Sequence, residues 1–269
     1  MRVALLITVG AAVVQAGGGC APSGLYMICA RGSGEPANYT DPSRYTINTG
    51  AAGYLAAQIA LHVPESIIEG VDYPATSPTS ETNLTSYYAS ENAGAKAIVD
   101  LIIEYNSTCP GGKIALIGYS QGAQLVQDAL CGGTGGHFNS NPPLPSDLVK
   151  NNIIAIALIA DPTHIANTTY DRGTSTHNGV FPRTNTTSCH QYSDLMSSWC
   201  EENDRYCDSG NSTTIHNEEL VIYGYDVIQF VVGKWNASAA HDKPNAASSL
   251  ALSQSLLAGV SMMLVLWLL

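Results

Sequence analysis

Short apolar runs, six to nine residues long, alternate along the chain with stretches of helical periodicity. The runs are LYMICA (25–30), SIIEGV (66–71), KIALIG (113–118) and NIIAIALIA (152–160), with a less regular one at 195–199. They are continuous rather than alternating, which is the pattern of strands buried on both faces of a parallel sheet. Between them, residues 50–61, 87–106, 121–130 and 219–235 carry helix-like spacing and composition. Strand and helix alternating over some 200 residues predict a doubly wound α/β sheet in one domain. The segment 164–188, rich in Thr, Asn and Gly, reads as a long surface excursion, the kind of loop that often serves function.

Both ends of the 269-residue chain change that picture, because neither reads as part of the fold. Residues 1–16 pair one Arg with an apolar core and small terminal residues, the form of a secretory signal peptide. Residues 250–269 are apolar to the end, with no basic flank. Small residues at 245–249 and a short polar spacer precede them, as in a glycosylphosphatidylinositol anchor signal. A single tail-anchoring helix is the alternative. The expected organisation is a signal peptide (1–16), a catalytic-type domain (17–236), a linker carrying the attachment region (237–249) and the anchor signal. The mature protein of about 17–245 would be tethered to the membrane or cell wall. Seven Asn-x-Ser/Thr sequons (Asn38, Asn83, Asn106, Asn167, Asn185, Asn211, Asn236) and seven cysteines fit an exported, disulfide-bonded chain. With 22 acidic against 11 basic residues, nucleic acid is excluded as a partner.

The chemistry is concentrated after the third run. Gly118-Tyr119-Ser120-Gln121-Gly122 matches G-x-S-x-G between an expected strand and an expected helix. That context makes Ser120 a candidate nucleophile on a sharp turn, with the Gln121 N–H at a helix N-terminus as an oxyanion donor. A glycine-bracketed turn without chemistry is the plain alternative. In this arrangement an acid and then a histidine should follow the serine in the chain. His216, between a polar loop and the last helix, is the best base. His137 lies too close behind the nucleophile, His241 falls in the linker, and His164, His177 and His190 read as surface residues. For the acid, Asp204 competes with Asp161. Asp204 is preferred because a Cys200–Cys207 disulfide would hold its loop rigid. Glu201, Glu202 and Asp208 read as solvated neighbours. The loop Ala30-Arg31-Gly32-Ser33-Gly34-Glu35 offers Ser33 as the second oxyanion donor, with Arg31 and Glu35 shaping the loop as an ion pair.

The motifs ARGSGE (30–35), GYSQGAQ (118–124), ALCGG (129–133), ADPTH (160–164) and WCEENDRYC (199–207), with His216 beyond them, resemble the cutinase and acetylxylan esterase family of secreted fungal serine esterases. The resemblance runs from about Cys20 to Trp235. It implies a lidless three-layer α/β/α hydrolase with a central parallel sheet of about five strands. It further implies Ser120, Asp204 and His216 as the triad, Ser33 and Gln121 as the oxyanion hole, and Asp161 as structural. Pairings Cys20–Cys109, Cys200–Cys207 and Cys131–Cys189 are implied, leaving Cys29 as an inert buried thiol. No cofactor or metal is called for, and the chain is read as a monomer. Tyr223-Gly224 and the segment 170–174 resemble the acetylxylan esterase branch, and the residues before His216 are mostly polar. The expected substrate is therefore a short-acyl ester on a polysaccharide. A cutin-like polyester is the alternative, and a non-catalytic surface glycoprotein on the same scaffold is the reading from another class.

Overall fold

In the computed structural model, residues 19–37, 47–78, 80, 83–138 and 141–241 are described. The signal-peptide segment, the Asn38 sequon and the anchor signal at 250–269 lie outside them. Among the described residues, no helix is long and apolar enough to cross a membrane.

The chain runs β1 (Leu25–Ala30), α1 (Gly50–His62), β2 (Ile67–Gly70), α2 (Thr85–Thr108), β3 (Lys113–Tyr119), α3 (Gln121–Cys131), α4 (Ser146–Asn152), β4 (Ile153–Ile159), β5 (Asp171–Gly173), α5 (Thr187–His190), β6 (Met196–Cys200) and α6 (Thr213–His241). The strands form one sheet in the order β2-β1-β3-β4-β6-β5, with every pairing parallel. The order grows outward in both directions from β1 and β3, so helices cover both faces, as the alternating pattern predicts.

Alternate residues of each central strand supply the two cores. Leu25, Met27 and Cys29 of β1, with Ala115 and Ile117 of β3, pack beneath α1 and α6. Tyr26 and Ile28, with Ile114 and Leu116, pack beneath α2 and α3. Both faces are therefore apolar, and this is why the runs are continuous in sequence.

Two expectations are refined and a third holds. The sheet has six strands rather than about five: β5 pairs with β6 at the sheet edge inside the 164–188 excursion. Its residues are half-buried or exposed, so no apolar run announces it. The last helix begins at Thr213 instead of 219 and continues to His241, so the first residues assigned to the linker are helical. The excursion lies mostly at the surface as expected and is ordered by its own backbone bonds, Gly179 N–H donating to His164 O and Phe181 N–H to Pro162 O.

The three disulfides are Cys20–Cys109, Cys131–Cys189 and Cys200–Cys207, and Cys29 is a free, buried thiol. Burial, and secondarily the charge of Glu69, push the Cys29 thiol far up, which removes thiolate character at neutral pH.

Candidate active site

β3 ends at Tyr119 and α3 starts at Gln121, so a single residue, Ser120, makes the whole turn. Its backbone sits at φ 54°, ψ −122°, a strained conformation for a residue with a side chain. The flanking glycines are there for space. A Cβ on Gly118 would lie 2.4 Å from Gly122 O, and one on Gly122 would lie 2.0 Å from Ala30 O. Strand, turn and the loop after β1 therefore pass backbone to backbone. This lifts the Ser120 side chain over the carboxyl ends of the strands.

His216 and Asp204 come from elsewhere in the chain to meet it. His216, in the first turn of α6, has Nε2 2.9 Å from Ser120 Oγ and Nδ1 2.8 Å from Asp204 Oδ2. An ionised carboxylate only accepts, so Nδ1 carries the proton and Nε2 is left to accept from the serine hydroxyl. Tyr119 and Tyr206 fix the imidazole plane. The Tyr119 ring stacks on it at 5.5 Å and the Tyr119 hydroxyl donates to His216 O, while Tyr206 meets its face edge-on at 4.6 Å.

Asp204 is fully buried. Its Oδ1 accepts the N–H groups of Tyr206 (2.6 Å) and Cys207 (2.8 Å), inside the small loop closed by the Cys200–Cys207 disulfide. Burial alone would raise its carboxyl, but the hydrogen bond and charge of His216 and the two amides outweigh burial and hold it below the usual carboxylate range. Asp161 is also buried, at the end of β4. Its Oδ1 accepts from the N–H and hydroxyl of Thr163, and burial pushes it up to about 6. It caps a turn and is not brought to His216.

The loop after β1 is tied down from behind. The Arg31 guanidinium donates to Val71 O, Tyr73 O and Glu35 O, and the Tyr73 hydroxyl donates to Arg31 O. The Glu35 carboxylate accepts the N–H groups of Gly32 (2.6 Å) and Ala51 (2.9 Å). Arg31 and Glu35 thus shape the loop through its backbone. Ser33 lines the same cleft as Ser120 and His216. The Gln121 N–H stands at the first position of α3, where a helix offers it no partner. The Gln121 side chain points away, held by Ser90 and Thr76.

The remaining acids and histidines sort plainly. Asp208, read as solvated, is buried; it accepts from Asn203 N–H (2.7 Å), Ser175 Oγ (2.5 Å) and His177 N–H (3.0 Å). It clamps the Asp204 loop to the excursion, and these donors hold its carboxyl down against the upward effect of burial. Glu201 is half-buried, accepting from Thr174 and Tyr223, and Glu202 is exposed as expected. His164, also read as a surface residue, is 3% exposed, with Nδ1 3.7 Å from Asp171 Oδ1. Composition pointed to the surface, and the returning excursion covers it instead. His137, His177 and His190 are exposed, and the side chain of His241 lies outside the described residues. Tyr119 and Tyr206 lie inside the quoted motifs without a role read for them, and Asp208 is a support residue that no motif signalled.

The cleft over Ser120 holds about 740 Å³. Leu84, Val180 and Phe181 form apolar wall, while Arg205, Asn211 and Asn217 form polar rim.

A buried Ser-His-Asp chain on a strand-to-helix turn of a parallel α/β sheet is the arrangement of the serine hydrolases of the α/β-hydrolase class. The family model Cutinase matches residues 20–235, and the chain belongs to the cutinase family. It is 32% identical to Cutinase 11 of Verticillium dahliae over 194 residues, 71% of this chain but 65% of that protein. It is 33% identical to Acetylxylan esterase 2 of Talaromyces purpureogenus over 174 residues, 64% of this chain and 74% of that one. Among solved structures, the catalytic core domain of acetyl xylan esterase from Trichoderma reesei superposes with a TM-score of 0.66 at 26% identity, covering 79% of this chain and 99% of that chain.

Proposed function

We propose that the protein removes short acyl groups, acetyl above all, from a polysaccharide outside the cell, with Ser120 as nucleophile, His216 as base and Asp204 as its orienting acid. Ser120 Oγ attacks the ester carbonyl while its proton passes to His216 Nε2. The Gln121 N–H and Ser33 hold the developing oxyanion. The imidazolium returns the proton to the leaving sugar hydroxyl, and water then releases acetate by the same steps. Every group needed for this acyl transfer belongs to the chain.

The observation that supports a carbohydrate ester is the polar rim on the His216 side of the cleft, Arg205, Asn211 and Asn217, which suits sugar hydroxyls. The similarity to acetylxylan esterases supports it, and the similarity to Cutinase 11 supports the second reading. A cutin-like polyester is the second reading, favoured by the apolar wall of Leu84, Val180 and Phe181. Three disulfides support an oxidising compartment. Tethering by a lipid anchor is part of the proposal and rests on sequence alone.

The test is hydrolysis of p-nitrophenyl acetate, butyrate and palmitate and of acetylated xylan by residues 17–245, beside Ser120→Ala. The expected result is Ser120-dependent activity confined to short chains, with acetate released from xylan. Activity extending to palmitate transfers the assignment to the polyester. A folded sample with no Ser120-dependent activity overturns the esterase reading.

A further inference from the structure

Next to the Asp204 loop stands a second buried carboxyl. Glu219 lies one helical turn after His216 in α6 and is 0% exposed. Its Oε1 accepts the N–H of Glu201 at 2.8 Å and lies 3.2 Å from Sγ of the disulfide-bonded Cys207. Its Oε2 is buried with no donor to serve it. Cys207 joins it to Asp204, since the residue whose Sγ touches Glu219 also gives its N–H to Asp204 Oδ1, and the oxygens of Asp204 already accept from Tyr206, Cys207 and His216. Two ionised carboxylates cannot share such a space. A buried carboxyl in contact with an anion is stable only if it holds its proton and gives it as a hydrogen bond.

We propose that Glu219 is a positioning residue of the triad: held as a neutral carboxylic acid, it donates a hydrogen bond to Asp204 and so fixes both the geometry and the charge of the group that orients His216. This rests on the triad assigned above. The line of hydrogen bonds then runs from Ser120 through His216 and Asp204 to Glu219, which is anchored in turn on the Glu201 amide. Burial, and then the Asp204 and Glu201 charges, push the Glu219 carboxyl up to about 10 against the pull of the Glu201 amide. Glu219 therefore keeps its proton at neutral pH, where Asp204 has lost its own. The other titratable groups around it are Tyr119 and Tyr223, whose hydroxyls burial pushes up, and His216.

The consequence has a sign. A donor on Asp204 draws off part of its negative charge, which makes the imidazolium beside it less favourable. Removing that donor leaves Asp204 more negative, and the acid limb of the kcat/KM profile then moves to higher pH.

The test compares Glu219→Gln, which keeps a neutral donor and the acceptor for Glu201, with Glu219→Leu, which keeps neither. The expected result is a Gln variant within about threefold of the parent with its acid limb in place. The Leu variant should lose about tenfold in kcat, with the limb raised by about half a pH unit. An infrared difference between parent and Glu219→Gln at neutral pH should contain the carbonyl stretch of a protonated carboxylic acid. A folded Leu variant with an unmoved limb, a Gln variant as impaired as Leu, or no protonated-acid band overturns the proposal. If Leu fails to fold, the Gln variant and the band decide. The band does not depend on activity, so loss of the esterase reading through Ser120→Ala remains a separate outcome.

Discussion

Asp204, the proposed triad acid, shows how a side chain acquires a role its residue type does not confer. Asp204, Asp161 and Asp208 are all buried aspartates at loop ends, each accepting backbone N–H groups. Asp208 lies 3.3 Å from the exposed His177 ring, but only Asp204 faces the imidazole that reaches Ser120. His216 needs it for one task above all: to keep the proton on Nδ1, so that Nε2 can accept from Ser120. Asp204→Asn preserves the shape but gives Nδ1 an amide that can turn its donor inward and favour the wrong tautomer. The expected outcome is a kcat lower by about 10⁴-fold with little change in melting temperature, read from steady-state kinetics and thermal unfolding on one preparation. A loss of only a few-fold would show that Asp204 orients His216 without controlling its proton.

The disulfides test whether rigidity is local. Cys200–Cys207 closes a loop of sequence separation 7 around Asp204, whereas Cys20–Cys109 spans 89 and lies at the strand ends opposite the cleft. By loop-closure entropy the short bridge contributes about 2–3 kcal/mol and the long one about 4–5 kcal/mol. Replacing Cys20 and Cys109 by serine should therefore cost more in urea midpoint yet leave the specific activity of folded molecules unchanged. Replacing Cys200 and Cys207 should cost less stability and more than tenfold in activity. Equal loss of activity in both would mean that the small loop is held by its hydrogen bonds alone. The same contrast marks what the sequence makes legible. β1, β3 and β4 are buried on both faces and announce themselves as apolar runs, and Gly118 and Gly122 announce the turn because only glycine fits there. β5 is three half-exposed residues with no pattern to read. Asp208, His164 and Glu219 are polar residues in polar-looking segments. Their burial is made by chain that returns from far away, and no local spacing encodes it.

The whole molecule carries an unusual charge economy for a net charge of −11. Two fully buried glutamates face two fully buried aspartates, Glu219 against Asp204 and Glu91 of α2 against Asp128 of α3. Asp128 is also bound by Arg183, whose guanidinium reaches Gln127 Oε1 and Gly132 O and so fastens the 164–188 excursion to the nucleophile helix. Burial, followed by the Asp128 charge, pushes Glu91 up to about 10, and Glu219 is pushed up equally far. Such groups hold protons in the folded chain that the unfolded chain gives up near its ordinary glutamate value of 4.5. Their contribution is complete below that value and is lost as pH rises from there toward about 10. Asp204 and Asp208 work the other way: their folded carboxyls lie below the ordinary 3.8, so their contribution fails as pH falls through that lower range. The two slopes meet in mild acid, and maximal stability is expected near about pH 4–5, on the acid side of the usual range. Melting temperature should fall by about 3 °C or more per pH unit between pH 5 and 9, and replacing both Glu91 and Glu219 by glutamine should flatten that slope. A melting temperature that is level or rising over the same interval would show that both glutamates are ionised in the folded protein, and with it that neither donates a hydrogen bond to its aspartate.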